Sequence, residues 1–179
     1  MSSAESRFIE LYDRYRRRVA NYCGRRVAAD KVDDVVAETF MAVWRRIDDV
    51  PEGDSALSWL YGVAYKVVGH QWRSSSRRVK LNERLTSMGR TPVVLTDEIV
   101  LIREENRVAL EAVKTLRSID REILMLAGWE ELPHGDIAAI LGISIDAVRH
   151  RLQKARQRLA REYNRREPSV VGLPRKDSI

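Results

Sequence analysis

The sequence is poor in residues that staple, ligate or interrupt: its 179 positions hold one cysteine, three histidines and five prolines. The single cysteine, Cys23, excludes an intrachain disulfide framework and points to a reducing, cytoplasmic setting. Beside a helical apolar stripe it reads as structural, not as a reactive thiol. His70, His134 and His150 are scattered and do not combine with Cys23 at a zinc spacing, so no metal and no cofactor are expected. There is no Walker A run, no G-x-G-x-x-G and no G-x-S-x-G, and no residues group into a catalytic constellation; the chain does not read as an enzyme. The longest stretch without a charge, Ser55–Tyr65, is far short of the ~20 apolar residues a membrane helix needs. The N-terminus lacks an apolar h-region. Neither membrane insertion nor secretion is expected.

What the chain does have is charge and helical periodicity. The 32 Lys+Arg outnumber the 26 Asp+Glu, a balance that suggests an anionic partner without naming it. Phe8, Leu11, Tyr12, Tyr15, Val19 and Tyr22 follow the i, i+3, i+4, i+7 pattern of a first helix. Asp30 or Asp33 can cap a second, whose buried side holds Val32, Val35, Val36, Phe40, Val43, Trp44 and Ile47; Trp44 fits core or interface, with the core preferred. After the turn-rich Pro51–Asp54, Ser55 can cap a third helix carrying Trp59, Leu60, Val63, Ala64, Val67 and Val68. From Arg73 to Lys80 the chain turns basic and loses apolar residues, and it stays irregular to about Asp97, which reads as a linker. Periodicity returns at Ile99, Ile102, Val108, Leu110, Val113 and Leu116, followed by a helix from about Asp120 to Trp129. No strand alternation appears in the first half. The expected fold is all-α: two small helical domains joined by a flexible linker, each near the lower limit of what folds alone.

The most specific local signal is Pro133–Leu159. Ile137, Ala138 and Leu141 share one face of a short helix, Gly142 permits a left-handed turn, and Ser144 can cap a helix whose apolar residues are Val148, Leu152, Ala155 and Leu159. A small residue for close approach, a turn glycine and a valine that packs back describe a helix-turn-helix, whose second helix enters the DNA major groove. Asp146, Arg149, His150, Gln153 and Gln157 form the outward stripe of that helix. Residues 144–161 contain six Arg/Lys and one acid, a composition suited to base edges and phosphates.

These elements occur together with Asp33-Asp-Val-Val-Ala-Glu-Thr-Phe-Met-Ala-Val-Trp44, Gly53-Asp-Ser-Ala56, Trp59-Leu-Tyr-Gly-Val-Ala64, Asp120-Arg-Glu-Ile-Leu-Met-Leu126 and Trp129-Glu. In that order and spacing the sequence resembles the extracytoplasmic-function (group IV) sigma factors of the sigma-70 family. The resemblance covers about residues 6–163. It implies a sigma-2 domain over 1–77, a linker over 78–97, a sigma-4 domain over 98–163 and a disordered tail over 164–179. It further implies a protein that binds core RNA polymerase and directs promoter-specific initiation by reading −35 and −10 elements. The implied partners are the clamp helices of the largest subunit, the flap of the second largest, promoter DNA, and an anti-sigma factor covering the same faces. The alternative is a stand-alone helix-turn-helix regulator that binds a palindrome without polymerase.

By the same resemblance, Asp34, Glu38, Met41 and Arg45 dock on the clamp helices, whose basic residues give the two acids a steering role; Ala37 departs from a common Gln. The family's −35 readers fall at Arg149, His150, Gln153 and Lys154. The acidic loop Pro51–Ser58 matches the loop that captures a flipped −10 base. There Asp54 and Ser55 fit either base reading or helix capping. Lys66 and His70 stand where some relatives carry Asn to read −10 bases. Tyr65 and Trp72 fit stacking on bases or packing equally, and Arg73 continues a basic track toward phosphates.

Overall fold

The structure, a computed structural model, describes residues 2–83, 113 and 115–166. Six α-helices and no strand occur among them: α1 (Ser3–Gly24), α2 (Val32–Trp44), α3 (Ser55–Glu83), α4 (Ser118–Gly128), α5 (His134–Leu141) and α6 (Ile145–Arg166). The segment from 84 to 112, which holds most of the expected linker and the start of the second domain, lies outside the described residues, as does the end of the chain from 167.

α1 opens with a capping box. Ser2 Oγ accepts from the Glu5 N–H at 3.2 Å, and the Glu5 carboxylate accepts the Ser2 N–H at 2.8 Å. Its expected stripe is inward: Leu11, Tyr15, Val19, Tyr22 and Cys23 are buried, with Phe8 and Tyr12 packed at the edge. α2 starts differently from the sequence expectation. A 3-10 turn, Ala29–Lys31, leads into it, and Lys31 occupies the cap position with no side-chain cap hydrogen bond, so neither Asp30 nor Asp33 caps it. Asp33 and Asp34 instead lie in the first turn, where the positive end of the helix dipole favours them. Trp44 is also not core: it is 44% exposed and meets the Phe8 ring edge-on at 5.3 Å. α3 begins at Ser55 itself, with Asp54 immediately before it and Gly53 turning the chain at φ 65°. It continues to Glu83, into the segment read as linker from 78. α1, α2 and α3 pack on one another around Val19, Val35, Val43, Leu60 and Val68.

The second domain is built on the same rule, one apolar stripe per helix. α4 buries Ile123 and Leu126, α5 buries Ile137 and Ala138, and α6 buries Val148, Leu152 and Ala155. Gly142 ends α5 in the left-handed region (φ 66°, ψ 37°), and Ser144 Oγ accepts the Ala147 N–H at 3.1 Å to open α6. Between α4 and α5, Glu131 holds φ 53°, the one non-glycine left-handed residue among those described. The two domains do not stand apart. α5 packs along α3, and the buried apolar residues of both form one cluster.

Candidate nucleic-acid interface

The outward face of α6 is arranged as its spacing predicts. Arg149, His150, Gln153 and Lys154 are exposed, while Val148 and Leu152, one position away, are buried. Arg149 is held by Asp146 one turn back, Nη1 to Oδ1 3.1 Å, with both side chains largely in water. Arg151 turns the other way and pairs with Asp120 at 2.9 Å, which ties α6 to the start of α4. A groove of about 900 Å³ runs between those helices, with Arg117, His150, Lys154, Arg158 and Arg161 on its wall. That is a positively charged surface beside the exposed face of α6, of the sign that phosphate contacts require.

On α2 the structure places Asp34, Glu38, Met41 and Arg45 on one exposed face, opposite Val35, Val36, Phe40 and Val43. Met41 is 53% exposed and lies beside the half-exposed Trp44. An apolar centre with acids at its edge is the composition of a protein-docking patch. Asp54, Ser55, Lys66, His70 and Arg73 are exposed along the loop and α3. Tyr65 is half-buried, and its hydroxyl pKa is raised by that burial. Trp72 Nε1 donates to the Arg26 carbonyl at 3.0 Å, while the residue is 37% exposed. Arg14, Arg16, Arg17 and Arg18 of α1 are exposed.

A third constellation, absent from the sequence reading, lies where the domains meet. Arg26, 3% exposed, follows α1; its Nε donates to both Glu122 carboxylate oxygens at 2.9 and 3.1 Å, and its Nη1 donates to Glu130 Oε1 at 3.1 Å. Arg25 Nη2 donates to Glu130 Oε2 at 2.6 Å, and the Tyr22 hydroxyl donates to Glu122 Oε1 at 3.1 Å. The guanidinium lies 3.6 Å from the centre of the Tyr22 ring. Burial would lower the Arg26 pKa, but Tyr22, Glu122 and Glu130 outweigh it and the net shift is upward, so Arg26 stays charged. Burial also raises the Tyr22 hydroxyl well above 10 and pushes the Cys23 thiol up to about 12, which fits a structural cysteine. One signal of this cluster was readable: Glu122 falls between Ile119, Ile123 and Leu126, on the apolar stripe of its own helix.

Among the described residues no cluster could hold a metal ion, and no helix is long and apolar enough to cross a membrane. An exposed basic helix-turn-helix and an acid-rimmed apolar patch thus occur on one all-helical chain. Comparison with known proteins agrees. Sigma-70 region 2 matches residues 11–78 and sigma-70 region 4 matches residues 107–159, together about two thirds of the chain. A probable RNA polymerase sigma factor, RfaY, of Xanthomonas campestris is 32% identical over 138 residues, 75% of this chain; the chain spans 34% of that relative's length. The sigma-E factor of Escherichia coli, an extracytoplasmic-function sigma factor, is 29% identical over 156 residues, 82% of this chain and 81% of that one. A Bartonella quintana sigma factor, solved in complex with the anti-sigma factor NepR, superposes with a TM-score of 0.62 at 21% identity, over 90% of this chain and 97% of that one. The chain belongs to the sigma-70 family as an extracytoplasmic-function sigma factor, a non-enzymatic subunit that directs RNA polymerase to promoters.

Proposed function

We propose that residues 1–77 form the polymerase-docking and −10-reading domain, residues 98–163 the −35-reading domain, and residues 78–97 the tether between them. In this reading Asp34, Glu38, Met41 and Arg45 meet the clamp helices of the largest polymerase subunit, and the second domain meets the flap of the second largest. Arg149, His150, Gln153 and Lys154 read the −35 element in the major groove. Asp54, Ser55, Lys66, His70 and Arg73 line the path of the −10 strand. The observation that carries the reading is the pairing, on one chain, of the exposed α6 stripe with the acid-edged apolar face of α2. Each DNA contact is small, so polymerase makes them act together by fixing their separation. The chain works in the cytoplasm, where polymerase is. An anti-sigma factor is its proposed inhibitor, on the support of the Bartonella fold neighbour that binds one.

Run-off transcription with core polymerase on a genomic library tests this. The expected result is a set of transcripts whose upstream regions share a −35 and a −10 motif. Tight binding to a palindrome without polymerase, and no promoter-specific transcript, would establish the stand-alone regulator instead.

A further inference from the structure

Among its described residues, α6 leaves one large apolar side chain exposed, Ile145. By spacing Ile145 belongs to the buried stripe, three residues before Val148 and seven before Leu152. Val148 and Leu152 are buried, yet Ile145 is 44% exposed and lies outside the described apolar cluster, whose packed margin takes in Leu141 and Ile143. The side chains exposed with it, Asp146, Arg149, His150, Gln153 and Lys154, are polar or charged. A single apolar residue on a surface needs no explanation in general. This one stands at the first position of the second helix of a helix-turn-helix, and the N-terminal residues of that helix are the ones that meet base edges.

The start of α6 is firmly closed around it. Ser144 Oγ accepts the Ala147 N–H at 3.1 Å, and the Ser144 carbonyl accepts the Val148 N–H at 3.0 Å. The β-branched side chain is stiff about χ1, so it has little freedom to lose on contact. Arg149 follows one turn later, and its guanidinium reaches back over the first turn, with Nη1 3.1 Å from Asp146 Oδ1. An apolar group and a fork of N–H donors therefore share the first turn of α6. Base edges in the major groove offer one apolar group, the C5 methyl of thymine; what else they present there is hydrogen-bond donors and acceptors. Against cytosine the same side chain would meet no methyl and would take water from the N4 donor without offering an acceptor.

We propose that Ile145 is a specificity-determining residue of the −35 contact, an apolar reader that packs on the C5 methyl of a thymine beside the base that Arg149 contacts. The proposal rests on α6 being the −35 reader.

Its test uses the full-length chain with core polymerase on a promoter from the run-off set. Each thymine of the −35 element is replaced in turn by deoxyuridine, which removes the methyl and keeps the hydrogen-bonding groups. At one thymine the replacement should lower the affinity of the parent holoenzyme by about threefold to tenfold. Ile145→Ala should lose a similar factor on the thymine promoter and be indifferent to deoxyuridine at that position. Arg149→Ala should keep the parent's response to it. Ile145→Val, the milder change, should keep a response of about twofold or more, and serves should Ile145→Ala fail to fold. If no deoxyuridine position matters to the parent, or if Ile145→Ala responds as the parent does, the thymine contact is overturned. The −35 reading would survive that result if exchanging −35 base pairs still abolished initiation. A holoenzyme indifferent to every −35 base pair would overturn both.

Discussion

The same residue types do opposite work in two regions of this chain. At the domain boundary Arg26, Glu122 and Glu130 are out of water and bonded to one another at 2.9–3.1 Å. On α2 and α6 the charges Asp34, Glu38, Arg149 and Lys154 face solvent. Removing one partner from a buried pair strands the other in a low-dielectric site, whereas an exposed pair such as Arg149–Asp146 contributes little to stability. Buried charges therefore govern how the two domains sit together. Exposed charges are free to govern which macromolecule the chain meets.

That contrast can be broken most directly at Arg26. Arg26→Ala should destabilise the packed chain by about 3–5 kcal/mol in urea unfolding, because the buried Glu122 loses its partner; a loss below about 0.5 kcal/mol would show the boundary to be as inert as a solvated surface.

Alkaline titration sharpens the same contrast. The Cys23 thiol and the Tyr61 hydroxyl are both pushed up to about 12, chiefly by burial, from ordinary values of 9.0 and 10.0. A folded pKa above the unfolded one gives stability that is complete below the unfolded value and lost as pH rises toward the folded one. Stability should therefore fall between about pH 9 and 12, at roughly 1.4 kcal/mol for each pH unit separating the two values of a group. Denaturation curves at several alkaline pH values read this, and a flat profile would contradict the burial.

On the exposed side, Arg149→Ala should weaken −35-dependent initiation by about 1–3 kcal/mol while leaving unfolding within about 0.5 kcal/mol of the parent. Run-off yield and a melting curve together check it. A large change in stability would mean that Arg149 is structural after all. The smallest effect is expected at the turn between α4 and α5. Glu131→Gly relieves a left-handed side chain at φ 53° and should stabilise the chain by about 0.5–1 kcal/mol, read as a raised melting temperature.

The helix-turn-helix was legible because each of its parts is local. Gly142 needs its left-handed turn, Ser144 needs only the next turn of chain to cap, and the spacing from Val148 to Leu152 settles which face is buried. The faces holding Asp34 and Glu38 followed from the same periodicity. Local signals failed where an alternative element intervened. The 3-10 turn at Ala29–Lys31 put Lys31 rather than an aspartate at the cap of α2, and the Phe8 ring gave Trp44 an edge to lean on at the surface.

By itself the sequence determined the helices, their buried stripes and the outward residues of α6, because 3.6-residue periodicity and capping act within a few residues of the chain. Glu122, an acid between Ile119, Ile123 and Leu126, carried a signal there that went unread. What the sequence could not state was the answer to that acid, since Arg26 lies 96 residues away. Only the packing of α5 on α3 brings the two together, and only in that packing does desolvation turn two ordinary surface residue types into the contact that joins the domains.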